Sequence, residues 1–170
     1  MRFICPLSLF LLSAFLGLAE EIPYTKVGPW SIIAITNADG TLNRCTAHLP
    51  GAQGALRIAV SPNMKSWALS IPGNTPSMKL KPGQVWGETF WEYPTGHSGL
   101  GRLFDHGGSN RASTKLNLEE VKELRTATSV SVKLSDRKDP CERCPAINYV
   151  WQPKEIGKAL AALPACIKAN

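Results

Sequence analysis

Four cysteines beyond the N-terminal segment constrain the fold of this chain more than any other feature: Cys45, Cys141, Cys144 and Cys166. Oxidising compartments preserve disulfides, so in an exported protein these thiols are expected to be paired. Only two residues separate Cys141 from Cys144, whereas Cys45 and Cys166 lie near opposite ends of the chain. Among the three complete pairings, we predict Cys45 with Cys166 and Cys141 with Cys144, and the other two remain alternatives. The longer bridge would tie the C-terminal segment to the sheet.

The first 19 residues have the pattern of an export signal. Arg2 supplies a positive start, residues 4–18 are nearly all apolar, and Ala19 places a small residue at the expected cleavage point. This apolar run is short for a membrane span, and no second run of about 18 apolar residues follows it. We predict that residues 1–19 are a removed signal peptide and that the mature protein is secreted or periplasmic, with no membrane span after cleavage.

Size and charge favour a single domain at 20–170. A mature length of about 150 residues is that of one ordinary domain. Losing Arg2 with the signal lowers the formal charge of +6 by one, and the remaining Lys and Arg residues are scattered along the chain. A modest, dispersed charge maintains solubility and favours only loose attraction to anionic surfaces. The sequence contains no nucleic-acid-binding motif, so we expect no nucleic acid among the partners.

Short apolar or alternating runs between turn-forming residues predict β-strands in the first half of the chain. The runs are 30–35, 55–60 and 67–71, and the last alternates apolar and small residues with a period of two. Residues 85–91 and 99–104 are predicted to form a hairpin. The glycine-rich stretch 95–110 gives no firm strand signal.

Helical patterns appear only late in the sequence. Asn117 can cap a helix of about two turns, with Glu120 as the acidic half of a capping box. Pro153 suits the first position of a second helix, which Pro164 is expected to end just before Cys166. Further strands are predicted over 128–134 and 147–151. Strands followed by late helices indicate a mainly β (α+β) fold, an antiparallel β-sandwich or barrel-like sheet stabilised by disulfides.

Several segments resemble a known family. They are Val27-Gly28-Pro29-Trp30, Cys45, Trp67-Ala68-Leu69-Ser70-Ile71-Pro72, Leu80-Lys81-Pro82-Gly83-Gln84 and Ile156-Gly157-Lys158-Ala159-Leu160-Ala161-Ala162-Leu163. With these, the chain resembles the exported bacterial invasion-associated locus B-like family and its uncharacterised relatives. The resemblance implies an exported β-rich domain associated with host-cell interaction, without catalytic residues to carry over. That family commonly has its close cysteine pair before the first late helix, whereas Cys141 and Cys144 follow it here.

Cys141-Glu142-Arg143-Cys144 has the spacing of a thiol–disulfide redox pair. Arg143 would stabilise a thiolate, but Pro140 and Pro145 bracket the motif and no helical pattern follows directly, so a structural disulfide is favoured. A zinc site is a second interpretation of this pair, because His48, His97 or His106 could complete a ligand set with the two cysteines. There is no second close cysteine pair, and oxidised thiols cannot bind zinc. We predict no metal, no cofactor and no catalytic residue.

Trp86, Trp91 and Tyr93 form the candidate binding surface. Most tryptophans of a β-rich domain are expected in the core, but exposed rings beside Tyr93 would form an apolar ledge for a partner. The odd separation of the two tryptophans places them on opposite faces of a regular strand, so a bulge or bend is needed for them to act together.

From these features we expect an exported, non-enzymatic binding domain of the bacterial envelope or secretome. Its partner would be an unknown protein or an envelope component, with an association with host interaction implied by the resemblance. A thiol–disulfide oxidoreductase that uses Cys141 and Cys144 is one alternative. A secreted inhibitor of a lytic enzyme is another, by analogy of fold alone.

Overall fold

The computed structural model describes residues 19–72, 86–92, 98–106, 109–135 and 146–170, with side chains over 19–72, 111–132 and 148–170. The predicted signal peptide therefore lies outside the described residues, except for its last position. The strands and helices are β1 Glu21–Val27, β2 Trp30–Thr36, β3 Leu42–Leu49, β4 Leu56–Val60, β5 Trp67–Pro72, β6 Trp86–Glu92, β7 Ser98–His106, β8 Ser109–Leu116, α1 Leu118–Leu124, β9 Val130–Ser135, β10 Ala146–Trp151 and α2 Ile156–Ala169.

All ten described strands belong to one antiparallel sheet, in the order β1-β2-β3-β4-β5-β8-β7-β6-β9-β10. The prediction of a mainly β, antiparallel fold with two late helices is confirmed. The first five strands are neighbours in chain order, and β8 then pairs with β5. Within the described ranges β1 and β10 are the two ends of this order, so the sheet is open rather than a closed barrel.

One face of the sheet forms the hydrophobic core. Alternate residues of the strands point to it, and they are fully or almost fully buried on β2, β3, β4 and β5. Helix α2 packs across β2 and β3 on this face with Ile156, Ala159, Leu160 and Leu163, all of them buried. Each large side chain buried in this way contributes roughly 1.5 to 3 kcal/mol to folding.

A disulfide joins Cys45 on β3 to Cys166 on α2. The two residues are 121 positions apart in sequence with their Cα atoms 6.2 Å apart, and neither side chain is exposed to solvent. The predicted long-range bridge is confirmed, and it attaches the last turns of α2 to β3. Cys141 and Cys144 lie outside the described residues, so their pairing stays a prediction.

The capping box of α1 is present as predicted. The backbone N–H of Glu120 donates to Asn117 Oδ1 at 2.9 Å, and the backbone N–H of Asn117 donates to Glu120 Oε2 at 2.6 Å. These reciprocal hydrogen bonds satisfy two amide groups that the first turn of a helix leaves without partners. The turn is fixed locally, which is why the sequence alone could indicate it.

The predicted boundaries of α2 were wrong at both ends. The helix begins at Ile156, three residues after Pro153, and it continues through Pro164 to Ala169. A proline inside a helix removes one hydrogen bond and costs about 3 kcal/mol. Here Leu163 before the proline and Cys166 after it are both fully buried, and Cys166 is bonded to Cys45. Packing on both sides of Pro164 therefore holds the helix together.

Residues of the β3–β4 connection cover the outer edge of β10. The Gln53 side-chain amide donates to Asn148 O at 3.2 Å, and the backbone N–H of Val150 donates to Gln53 Oε1 at 3.0 Å. Trp151 Nε1 donates to Gly54 O at 3.0 Å in the same place.

No helix within the described ranges combines the length and apolar character needed to cross a membrane.

Candidate functional site

The face of the sheet opposite the core carries a row of polar side chains that crosses five neighbouring strands. Ser31 on β2 is the cross-strand partner of His48, and His48 is the partner of Arg57 on β4. Arg57 is in turn the partner of Ser70 on β5, which pairs with Ser113 on β8. Because partners in an antiparallel pair share a face, all five lie on the side away from the core.

This row borders a groove of about 200 Å³ on the outer face. We call it the arginine groove and define it by Arg44, Thr46, Arg57, Ser70, Arg111 and Ser113. Its floor includes Ala59 and Ala68, which are cross-strand partners on β4 and β5. Small side chains at this pair leave the space between the longer residues around them. The groove exists because two alanines stand among arginines on the outer face.

Arg111 is the buried member of the groove, with 7% of its surface exposed. Its Nε donates to Ser70 Oγ and its Nη2 to the backbone oxygen of Ala55, each at 2.9 Å. Burial, with a smaller contribution from the positive charge of Arg57, lowers the pKa of Arg111 to about 10. The guanidinium therefore stays protonated at neutral pH, and its two hydrogen bonds fix it in place.

Arg57 and Thr46 each keep a buried polar atom without a hydrogen bond. Neither Arg57 Nε nor Thr46 Oγ1 has a partner, although both atoms are removed from solvent. Thr46 is only 4% exposed. Leaving a buried polar atom unpaired costs about 1 to 3 kcal/mol, so such atoms are uncommon in folded proteins. Both of these atoms belong to residues that line the arginine groove.

Positive charge accumulates at the groove. Burial is the main cause that lowers the pKa of Arg44 and of His48, and the charge of Arg57 lowers both further. Glu21 on β1 acts in the opposite direction on both groups. The ion pairs observed in the described part of the chain, Lys122–Glu119 and Lys158–Glu155, lie at the helices. No carboxylate among the described side chains forms an ion pair with a groove arginine.

The structure gives only backbone positions for the predicted tryptophan surface. Trp86 and Trp91 both lie in β6, which pairs with β7 as the predicted hairpin, while Tyr93 lies outside the described residues. A register shift falls between Trp86 and Glu88, so a bulge of the kind anticipated does separate the two tryptophans.

The register also indicates which face these positions occupy. Trp86 is opposite Leu103, whose partner on β8 is the buried Ala112. Trp91 is opposite Leu134, two residues from the buried Val132. Both tryptophan positions therefore fall in register with the core face rather than with the arginine groove. The ledge formed with Tyr93 stays a prediction.

The residues of the predicted redox pair and zinc site lie mostly outside the described residues. Cys141, Cys144 and His97 are not described, and only the backbone of His106 is described. His48 is described, and it lies in the polar row beside Arg57. Within the described part of the chain, no group of three or more His, Cys, Asp or Glu side chains is arranged to hold a metal ion.

No sequence motif marks the arginine groove. Its arginines are isolated in the sequence and belong to three different strands, β3, β4 and β8. A partial signal exists, because Arg44, Thr46 and His48 alternate with Cys45 and the apolar residues that follow it. That alternation shows which residues face outward, but it does not show which strands are neighbours.

Comparison with known proteins provides no relative for this chain. No family model, curated protein or solved structure matches it.

Proposed function

We propose that this chain is an exported, non-enzymatic binding domain that holds another protein or a component of the bacterial envelope. The observation that carries the proposal is the arginine groove, where three arginines line one cavity and no described carboxylate pairs with them. Clustered positive charge without an ion-pair partner among the described side chains is suited to an anionic partner. The resemblance to the invasion-associated locus B-like family adds the expectation of a host-associated partner.

The position of the groove on paired strands supports the same proposal. The groove lies on strands β3, β4, β5 and β8, and the Cys45–Cys166 disulfide ties β3 to α2 on the opposite face. A binding surface built on a fixed sheet loses little conformational entropy when a partner binds. Export to an oxidising compartment would keep this disulfide formed, in agreement with the predicted signal peptide.

The proposal is tested by capture from native envelope fractions with immobilised protein and chemical crosslinking. We expect a specific anionic component to be retained by the wild type and lost with the Arg44→Gln, Arg57→Gln double variant. A Lys26→Gln, Lys154→Gln double variant removes the same charge at exposed residues outside the groove and should retain the component. Raised salt should weaken the capture, since exposed charges are screened.

Equal capture by the two double variants would contradict a role for the groove. Reduction of insulin disulfides by the purified protein, with turnover lost in a Cys141→Ser variant, would contradict a non-enzymatic function. That result would favour the alternative of a thiol–disulfide oxidoreductase.

A further inference from the structure

We propose that the arginine groove binds a single phosphate group, with the Arg57 guanidinium and the Thr46 hydroxyl as its principal donors. The inference rests on the proposed binding function and names the ligand chemistry of that same site. It begins from the two buried polar atoms without partners, Arg57 Nε and Thr46 Oγ1.

These two atoms belong to neighbouring positions on the sheet. Arg57 is opposite His48, and Thr46 is opposite Ala59, so Arg57 and Thr46 are diagonal neighbours on adjacent strands. Diagonal neighbours on one face are about 7 to 8 Å apart at Cα, within reach of a long side chain. Neither atom is solvent-accessible as placed, so an acceptor group in the groove would meet both donors after a small rotation of each side chain.

The missing partner must be an acceptor. A guanidinium has only donors, and a hydroxyl can donate as well as accept. Arg111 already donates to Ser70 and to the backbone of Ala55, and Arg44 donates to Asn43 Oδ1 at 2.9 Å. These bonds engage two of the groove arginines and leave Arg57 Nε as the buried arginine nitrogen without a partner among the described residues.

The charge around the groove favours a dianion. Three guanidiniums line a space whose floor is alanine. Arg57 acts electrostatically on Arg44, His48 and Arg111, lowering the pKa of each. A phosphate monoester carries about −1.5 to −2 charge at neutral pH and has three strong acceptor oxygens. Such a group relieves this repulsion more fully than a singly charged carboxylate.

The size of the groove limits what can enter it. Pockets that enclose drug-sized ligands are usually about 300 to 1,000 Å³, and this groove is about 200 Å³. It has room for a phosphate group but not for a large ligand around that group. A phosphate carried on a larger partner would place only its charged end in the groove.

The test is a titration of the purified protein with inorganic phosphate and with glycerol phosphate at constant ionic strength. Binding is followed by calorimetry and by NMR of the arginine Nε–H signals. We expect saturable binding that weakens about tenfold or more in Arg57→Ala, since a charge-assisted hydrogen bond is lost. Thr46→Val keeps the shape of the side chain and should weaken binding about fivefold through loss of the hydroxyl.

Two further variants keep the test interpretable. Arg57→Lys keeps the charge but loses the planar fork, so it should bind more weakly than wild type and more tightly than Arg57→Ala. Lys154→Gln removes a positive charge outside the groove and should bind as wild type does. Circular dichroism establishes that each variant folds. If Arg57→Ala does not fold, Arg57→Lys and Thr46→Val decide the outcome.

The ligands distinguish the source of the phosphate. Equal affinity for glycerol phosphate and inorganic phosphate supports a phosphate carried on a larger molecule, and binding of inorganic phosphate alone supports the free ion. Acetate that binds as tightly as phosphate would overturn the assignment, as would the absence of saturable binding. Loss of phosphate binding with retained, Arg57-dependent capture of an envelope component would refute this inference while leaving the proposed function intact.

Discussion

His48 is the residue of the polar row whose ordinary pKa lies near neutral pH. Burial, followed by the charges of Arg57 and Arg111, lowers its pKa below the ordinary value of 6.5, and Glu21 opposes the shift. The unfolded chain therefore takes up a proton at a higher pH than the folded chain. The titration of His48 therefore leaves the free energy of unfolding unchanged above about pH 6.5. It lowers that free energy as the pH falls from the pKa of the unfolded chain to the lower pKa of the folded chain.

We expect a His48→Gln variant to lose less stability than wild type between pH 7.5 and pH 5. Glutamine has no charge to acquire, so the penalty for protonating this position in the unfolded chain disappears. The measurement is urea unfolding at both pH values, with Lys154→Gln as a control at an exposed position outside the polar row. Identical pH dependence in wild type and His48→Gln would show that His48 makes no contribution.

Gly157 near the start of α2 shows how tertiary contact can reverse a local preference. A Cβ atom at this position would lie 2.6 Å from the backbone oxygen of Arg125, the residue at the end of α1. Alanine has a higher intrinsic helix propensity than glycine by about 1 kcal/mol. At this position the contact with Arg125 opposes that preference, because a backbone oxygen cannot move without shifting its chain.

We expect Gly157→Ala to destabilise the protein by about 1 to 3 kcal/mol, the usual cost of inserting an atom into a packed contact. The matched control is Ala161→Gly at an exposed position of the same helix. That change should also destabilise, by about 1 kcal/mol, so alanine is preferred at 161 and glycine at 157. Thermal and urea unfolding measure both. Stabilisation by Gly157→Ala would contradict the close approach of α1 and α2.

At the scale of elements, α1 is a helix of seven residues whose start is fixed by Asn117 and Glu120. Helices this short are marginal by themselves, so caps and packing decide whether they form. We expect Asn117→Ala to lower the free energy of unfolding by about 1 kcal/mol, because the N-cap acceptor is lost. The helix also packs Val121 into the core.

The control for the cap is Glu119→Gln in the same turn. Glu119 pairs with Lys122 at 2.7 Å, but both side chains are about two-thirds exposed or more. Exposed pairs of this kind contribute from about 0 to 1 kcal/mol, so the control should change stability little. Urea unfolding compares the two variants. A larger loss with Glu119→Gln than with Asn117→Ala would contradict the role of the capping box.

Strands with apolar alternation could be predicted from the sequence, and strands with polar composition could not. β2, β4 and β5 were predicted because their inward residues are large and apolar. β1 is exposed along nearly its whole length, and β8 reads Ser-Asn-Arg-Ala-Ser-Thr-Lys-Leu, so neither has the usual apolar signal. β3 was not predicted either, because its inward residues Cys45 and Ala47 are small and its outward residues include Arg44 and His48. These three strands are defined by their neighbours in the sheet.

The arginine groove could not be predicted from the sequence either, because it depends on which strands are neighbours in the sheet. Arg111 reaches Ser70 only because β8 pairs with β5, across 41 residues of sequence. The disulfide was predictable, since few cysteines leave few pairings. The end of α2 was not, because the buried residues around Pro164 hold the helix through contacts distant in sequence. Local chemistry predicted turns, caps and the bridge, and long-range pairing determined the groove.

At the scale of the whole molecule, the Cys45–Cys166 disulfide closes nearly the entire described domain. A bridge across more than a hundred residues removes conformational entropy from the unfolded chain worth about 5 kcal/mol in chain-entropy models. We expect a Cys45→Ala, Cys166→Ala double variant to lose about 2 to 5 kcal/mol. Non-reducing peptide mapping should recover Cys45 joined to Cys166 in the wild type.

The comparison is a Cys141→Ala, Cys144→Ala double variant, which would open a loop of only a few residues. Its loss should be smaller, because closing a short loop constrains the unfolded chain less. Urea unfolding of both double variants measures the difference. A greater loss on removing the closely spaced pair would contradict the long bridge as the main covalent constraint.

At the outer edge of β10, the side-chain amide of Gln53 takes the place of one backbone peptide group of a neighbouring strand. It accepts a hydrogen bond from Val150 and donates one to Asn148, as a neighbouring strand would do. Exposed strand edges invite pairing with further chains, and native proteins often block them. Among the described residues, β1 is then the end of the sheet left for strand addition by a second copy. Pairing of two β1 edges uses both open ends at once, so such an association stops at two copies and cannot propagate into a fibre.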